Sequence, residues 1–228
     1  MATLSIVIPV LNEAAAIQHT LRLLRTQRLR HGASIEVIVV DGGSMDDTVA
    51  LAMPLADKVL HAAAGRATQM NAGAAAASAE VLLFLHADTI LPEQGAALVM
   101  DGLRAGRHAW GRFDVRIAGK PAMLRVVAAC MNLRSRLSGI ATGDQAIFVR
   151  REDFCAVGGF PEQPLMEDIE LSARLKLRSR PLCLKEKVTT SGRRWESRGV
   201  WRTIFLMWSL RLRYWMGTDT ASLARAYR

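Results

Sequence analysis

The chain has 228 residues and a formal net charge of +9, from 30 Lys and Arg against 21 Asp and Glu; half of it is hydrophobic and 22% is charged. That length suits one α/β domain, with or without a small appendage, and can bury a core without staples. The apolar fraction excludes a disordered chain, and 17 Gly with 7 Pro exclude a collagen-like or linker-like one.

The segments alternate in the first half. Leu4 to Pro9 reads as a buried strand, and Glu13 to Arg30 as a helix with Ile17, Leu21 and Leu24 on one face. Ile35 to Val40 is a β-branched run ending at Asp41-Gly42-Gly43-Ser44, after which a helix starts near Asp46. A short strand at Lys58 to Leu60, an Ala-rich helix from Gly65 to Ala77 and a buried strand from Val81 to Leu85 follow. Unbroken apolar strands between helices predict a parallel sheet covered on both faces, with ligands at the carboxyl ends of its strands.

The second half is less regular. Gly111 to Ile117 alternates, as a strand with one wet face would. Pro121 to Leu137 is helix-like and basic, and Ala146 to Val149 is a short strand. Met166 to Arg178 predicts a helix, Leu182 to Thr190 one or two strands, and Val200 to Met216 a helix.

The three cysteines, Cys130, Cys155 and Cys183, are odd in number and form no CxxC pair, which argues against a disulfide scaffold or a zinc knuckle and for a reducing cytosol. The first nine residues carry no basic leader, and no stretch reaches the ~18 apolar residues of a membrane span; neither a signal peptide nor a bilayer crossing is expected. The positive charge draws something anionic, whether nucleotide, nucleic acid or acidic lipid. A nucleic-acid partner is not expected, because no RRM, zinc finger or comparable module is present. GxGxxG after the first strand and GxxxxGK[ST] are both absent, as is the basic Gly-rich loop of sugar-nucleotide synthesis, Asn12-Glu13 standing in its place.

Four constellations could carry chemistry, each with a structural alternative. Asp41 and the glycines after it suit a base or ribose, or simple turn and capping chemistry with Ser44 and Asp46. Asp88, after the strand ending at Leu85, could hold a divalent ion or cap a helix. Glu167-Asp168 opens a helix, where acids favour the dipole; a carboxylate there could equally take a proton from a hydroxyl. Arg193-Arg194-Trp195 and Arg66 are phosphate clamps or solvated basic turns.

The order of these pieces is more informative than any one of them. Ser5-Ile-Val-Ile-Pro-Val-Leu-Asn-Glu13, Val39-Val-Asp-Gly-Gly-Ser-Met-Asp-Asp-Thr48, Gly65-Arg-Ala-Thr-Gln-Met-Asn-Ala-Gly73, Phe84-Leu-His-Ala-Asp88, Gly143-Asp-Gln145, Gly158-Gly-Phe160, Glu167-Asp168 and Arg193-Arg-Trp195 together resemble family 2 inverting glycosyltransferases, in a compact bacterial form. The resemblance spans roughly residues 4 to 195. It implies a GT-A fold, α/β and Rossmann-like, with a mixed, mainly parallel sheet and a C-terminal helical segment. In that reading residues 1–228 are one domain: about 1–100 bind nucleotide-sugar, about 101–195 bind acceptor, and about 196–228 form basic, aromatic helices.

By the same resemblance, Pro9, Asn12, Glu13, Asp41, Arg66, Asn71, His86 and Ala87 would bind a nucleoside-diphosphate sugar, UDP by default. Asp88 would hold Mn2+ or Mg2+, and Asp168 would be the catalytic base. Gly143, Asp144, Gln145, Glu167, Arg193, Arg194 and Trp195 would serve the diphosphate or the acceptor. The chain departs from the family in having His86 where the first DxD acid stands, which leaves metal dependence and a non-catalytic nucleotide-sugar-binding role open. Arg193-Arg-Trp195 lacks the glutamine that precedes it in processive polysaccharide synthases, and with no membrane spans expected to form a channel, processive synthesis is disfavoured. In Val200 to Met216, Trp201, Phe205, Trp208, Leu212 and Trp215 recur at helical spacing, accompanied by Arg198, Arg202, Arg211 and Arg213. This stripe suits core packing or a peripheral membrane contact, the latter favouring a lipid-linked acceptor. The expected location is cytoplasmic, at the inner face of the plasma membrane if the helix lies on lipid.

Overall fold

The computed structural model describes residues 3–31 and 34–227; Met1, Ala2, Gly32, Ala33 and Arg228, all within the expected domain, lie outside these residues. The elements run β1 (Leu4–Val10), α1 (Ala14–His31), β2 (Ile35–Asp41), α2 (Thr48–Ala52), β3 (Lys58–His61), α3 (Arg66–Ala76), β4 (Val81–Phe84) and β5 (Thr89–Ile90). They continue with α4 (Gly95–Arg104), β6 (Trp110–Ala118), α5 (Met123–Ser138), a 3-10 turn at Gly143–Gln145, β7 (Phe148–Arg150), α6 (Arg151–Ala156), α7 (Glu167–Lys176), β8 (Leu182–Ser191), α8 (Arg193–Arg198), α9 (Val200–Trp215) and α10 (Thr220–Tyr227).

One eight-stranded sheet has the order β3-β2-β1-β4-β7-β6-β8-β5. The first four strands are parallel. β7 runs antiparallel to both β4 and β6, β6 and β8 are parallel, and β5 pairs antiparallel with β8. The fold is thus the α/β, mixed and mainly parallel sheet that the segment pattern and the family likeness imply.

Period-two alternation along β1 divides the core. Leu4, Ile6, Ile8 and Val10 join a layer with Ile17, Leu21 and Leu24 of α1, while Val7 joins a second layer with Ala67, Met70 and Ala74 of α3. Small residues let α3 lie close to the sheet: a Cβ on Gly73 would come 2.3 Å from Val7 Cγ1. A third cluster, Leu165, Met166, Leu210 and Leu223, seats α9 and α10 against the loop that leads into α7.

The expected wet face of β6 is a correction. Arg112 is fully buried and Asp114 nearly so, because α5 lies across them. The Arg112 guanidinium pairs with Asp114, which also accepts from Arg136 Nη2 at 2.7 Å, and the Asn132 side chain bonds both backbone groups of Val115. Charged residues at alternate positions here mark a paired buried network, which sequence alternation alone does not distinguish from solvation. Leu182–Ser191 is a single strand, with a register shift where Phe113 pairs Leu184 but Asp114 pairs Lys187.

Candidate active site

The carboxyl ends of β1, β4 and β8 open onto a cavity of about 980 Å³ lined by Pro9, Glu13, Arg66, His86, Asp88, Asp144, Arg193, Arg194, Trp195 and Tyr227, among others. A smaller cavity of about 110 Å³ adjoins it, sharing Arg66, His86, Asp144 and Tyr227, and is lined further by Gly143, Glu167 and Asp168. Strand ends that stop short of their flanking helices leave such a crevice.

Two loops lock together at its rim. Asn12, in the left-handed region at φ 54, donates its N–H to Ser44 Oγ at 2.9 Å and accepts from Met45 N–H at 2.8 Å. Glu13 N–H donates to Thr48 Oγ1 and Ala14 N–H to Asp46 Oδ2. The 41–48 segment therefore caps the first turn of α1, a neighbouring helix. Asp41 is buried and accepts from the N–H groups of Gly43 and Ser44, and lies 3.3 Å from His61 Nδ1. Burial opposes its charge, but hydrogen bonds from Ser44, Gly43 and His61 outweigh it and hold the carboxyl below the usual range. Neither Asp41 nor Asn12 lines the large cavity; Asn12 holds the turn between Leu11 and Glu13, which do, and Asp41 holds the segment on which that turn rests.

Arg193 at the start of α8 reaches back across the cavity. Its Nη2 lies 2.9 Å from Glu13 Oε2 and 3.3 Å from Asp88 Oδ2, and Glu13 and Asp88 raise its pKa further. Two carboxylates thus converge on one cationic nitrogen. Among the described residues no group of three or more His, Cys, Asp or Glu side chains is arranged to hold a metal. A hard divalent ion bound through one or two carboxylates, with phosphates and waters completing its shell, needs no such group. Asp88, with Glu13 beside it, fits that donor set.

His86 Nδ1 lies 3.4 Å from Asp144 Oδ1. Partial burial opposes ionisation of Asp144, but His86, Arg66 and Arg194 more than offset it and lower its pKa. Gly143 lies under the imidazole, since a Cβ there would be 2.5 Å from His86 Nε2. Its N–H donates to Asp168 Oδ2 at 2.8 Å, so the 3-10 turn connects the histidine to the acid pair. Glu167 and Asp168 begin α7 directly after Met166, which sits at φ 67. Burial raises both pKa values, and the Asp168 charge adds to the rise at Glu167. A carboxylate so placed is a better base than one in water.

The remaining arginines crowd together. Arg194 stacks over the Tyr227 ring at 3.8 Å, and Arg198 Nη1 donates to Tyr227 O at 2.9 Å. Burial lowers the Arg194 pKa, and repulsion from Arg198 and Arg66 lowers it more.

Some expected site residues make bonds within the fold. Asn71 exchanges both bonds with the backbone of Phe160 and tethers α3 to the loop before α7. Gln145 is fully buried, and its Oε1 accepts from the Thr142 N–H at 3.2 Å. Ala87 does line the cavity, and its carbonyl accepts from Thr20 Oγ1. Gln69 and Tyr227 line the cavity without having been singled out. Gln69 Nε2 donates to the carbonyls of Val10 and Val40, clamping α3 to two strand ends. No local pattern marks Tyr227; its role depends on where α10 folds back.

Residues 5–155 match the model for glycosyl transferase family 2. The chain belongs to that family. An uncharacterized glycosyltransferase of Mycobacterium tuberculosis is 38% identical over 88 residues, covering 37% of this chain and 33% of the relative. Among solved structures, S. aureus TarS 1-349 in complex with UDP-GlcNAc superposes with a TM-score of 0.66 at 19% identity, covering 83% of this chain and 58% of that one. A mannosyltransferase from Pyrobaculum calidifontis in complex with GDP-Man and Mn2+ gives 0.64 at 19%, covering 82% and 56%. Glucosyl-3-phosphoglycerate synthase from Mycobacterium tuberculosis in complex with Mn2+, UDP and glucosyl-3-phosphoglycerate gives 0.60 at 20%, covering 83% and 71%. The family 2 chain spans about a third of its curated relative and about 60% of the TarS chain. At these identities the solved structures establish the shared fold.

Proposed function

We propose that the protein transfers a sugar, with inversion, from a nucleoside diphosphate, UDP by preference, to an acceptor hydroxyl. The observation that carries the reading is the pairing of two adjoining cavities with unlike carboxylates. Asp88 faces the larger one beside cationic groups, and the charge-disfavoured Asp168 lines the smaller. The nucleotide complexes of solved structures that share the fold support the donor class.

The larger cavity would hold the donor. Arg66 and Arg198 both repel Arg194, and a diphosphate would relieve that repulsion. α3 begins at Gly65 without a side-chain cap, leaving its N-terminal amides on the cavity wall. Asp88 would hold a divalent ion, whose chemistry is to neutralise charge on the departing diphosphate. The acceptor hydroxyl would enter beside Asp168. Its oxygen bonds to the anomeric carbon as the bond from that carbon to the diphosphate oxygen breaks. The bonding pair leaves with the diphosphate, and the proton passes to Asp168. A single displacement from the opposite face inverts the centre, through an oxocarbenium-like transition state.

Calorimetric titration of UDP and GDP with Mn2+, Mg2+ or EDTA, beside an Asp88→Ala variant, tests the donor site. The expected result is metal-dependent binding that the variant loses. Failure of both nucleotides to bind under every condition overturns the reading in favour of another donor or a non-catalytic role.

A further inference from the structure

The outer face of α9 carries a continuous apolar stripe. Trp201, Phe205, Trp208, Leu212 and Trp215 follow one another at intervals of three or four, and Met216 extends the row. All are solvent-exposed, Trp215 at 84%. The opposite face supplies the buried Thr203 and Leu210, with Leu206, Met207 and Tyr214 packed on the third core cluster. Core packing therefore accounts for half of the helix and leaves its aromatic half uncovered. Exposed apolar patches of this kind mark an interaction surface.

We propose that this face of α9 lies in the headgroup region of an anionic bilayer. Three features select lipid over a protein partner or a second copy. Tryptophan and arginine are the side chains suited to the boundary between headgroups and acyl chains. The helix contains no acidic residue; at about 100° per residue, Arg202 and Arg213 fall along one flank of the stripe and Arg211 along the other. Two copies meeting through such faces would oppose their arginines, whereas acidic headgroups complement them and the +9 net charge. Among the described residues no helix is long and apolar enough to cross a membrane, so the contact is interfacial.

Met207, Leu210 and Arg211 of the same helix line the cavity that holds Glu167 and Asp168. On the transferase reading, this sets the acceptor pocket about one helix diameter (~10 Å) above the surface, suited to an acceptor carried by lipid.

Co-sedimentation of the full chain with phosphatidylcholine vesicles, with and without phosphatidylglycerol, tests the inference. Indole emission is recorded on the same samples, and no nucleotide or turnover is involved, so failure here leaves the transferase reading intact. The expected result is pelleting with the anionic vesicles and a blue shift of emission. A Trp208→Ser/Leu212→Ser variant should lose roughly tenfold or more in partitioning. Arg202→Glu/Arg213→Glu should lose roughly fivefold per arginine. Circular dichroism checks that both variants keep the wild-type fold, as substitution of exposed side chains allows. Absence of pelleting at low salt, equal pelleting with neutral vesicles, or undiminished pelleting of both variants overturns the proposal. So does concentration-dependent self-association, lost in the serine variant, without vesicle binding.

Discussion

Asp168 is held where its charge is disfavoured, and two consequences follow at the level of that residue. Burial is the larger cause of its raised pKa, with the nearby Asp144 charge adding to it. The base is proton-free only above that raised value. The acid limb of kcat/KM should therefore rise with pH through a midpoint above the ordinary carboxylate range, which a pH–rate profile measures. The stability effect has the opposite sense. A folded-state carboxyl pKa above the unfolded one means the folded protein binds more protons between the two values. Stability then falls as pH rises through that window and stays lower above it. Asp168→Asn should consequently abolish turnover, by about a thousandfold or more, while raising Tm by a few degrees at neutral pH. Retained UDP binding in the same variant would assign the loss to chemistry. Gly143→Ala probes the other side of the base. The added methyl meets His86 Nε2 at 2.5 Å, so either the imidazole swings away from Asp144 or the 3-10 turn moves its N–H away from Asp168. Reduced kcat with a near-normal unfolding transition is the expected outcome, and an unchanged kcat would show that this contact does not position the base.

At the scale of elements, the first four strands carry a buried polar seam. Glu36 on β2 accepts from Ser5 Oγ on β1 at 2.5 Å, from the Ser78 N–H before β4 and from Lys58 Nζ on β3. Burial would raise its pKa, but those bonds dominate and bring it to about 2. With the folded value below the unfolded one, the stabilisation is fully present above about pH 4.5 and is lost as pH falls towards 2. It amounts to roughly 3 kcal/mol, an upper figure for one carboxylate. Acid unfolding monitored by circular dichroism should begin in that interval, and Glu36→Gln should flatten its onset while lowering stability at neutral pH. This half of the sheet was legible in the sequence because parallel strands buried on both faces leave contiguous apolar runs such as Val37 to Val40. β5, with two residues, and α6, with six, are too short to impose a period. Arg112 and Asp114 misled for a different reason: alternation reports which side chains share a face, whereas α5 decides whether that face meets water. Within the site, residues at strand ends could be located in advance. Asn71 could not be separated from ligand-facing neighbours, because its partner is the backbone of Phe160, 89 residues away.

Across the whole molecule, the cavity is completed by parts of the chain that lie far apart in sequence. Arg193 reaches Glu13 over a separation of 180 residues, and Tyr227 in the last described turn supports Arg194. The distances exceed any local motif, which is why Arg193-Arg194-Trp195 alone could be read as a solvated turn. They also make the far end of the closing wall separable from the sheet, since α10 and most of α9 rest on their own small core cluster, while Val200 packs on the first core layer. Tyr227→Ala tests that separation. Loss of the ring removes a cation–π contact worth about 0.5–2 kcal/mol and frees Arg194 from one orientation. Arg194 and Arg66 already repel, so an unanchored Arg194 will swing towards solvent rather than remain over the cavity. Nucleotide affinity should fall by about threefold to thirtyfold in the calorimetric titration. The main thermal transition should move little, because the two sheet-facing core layers contain no part of α10. Equal losses of Tm and affinity would instead mean that the C-terminal helices fold as one unit with the sheet.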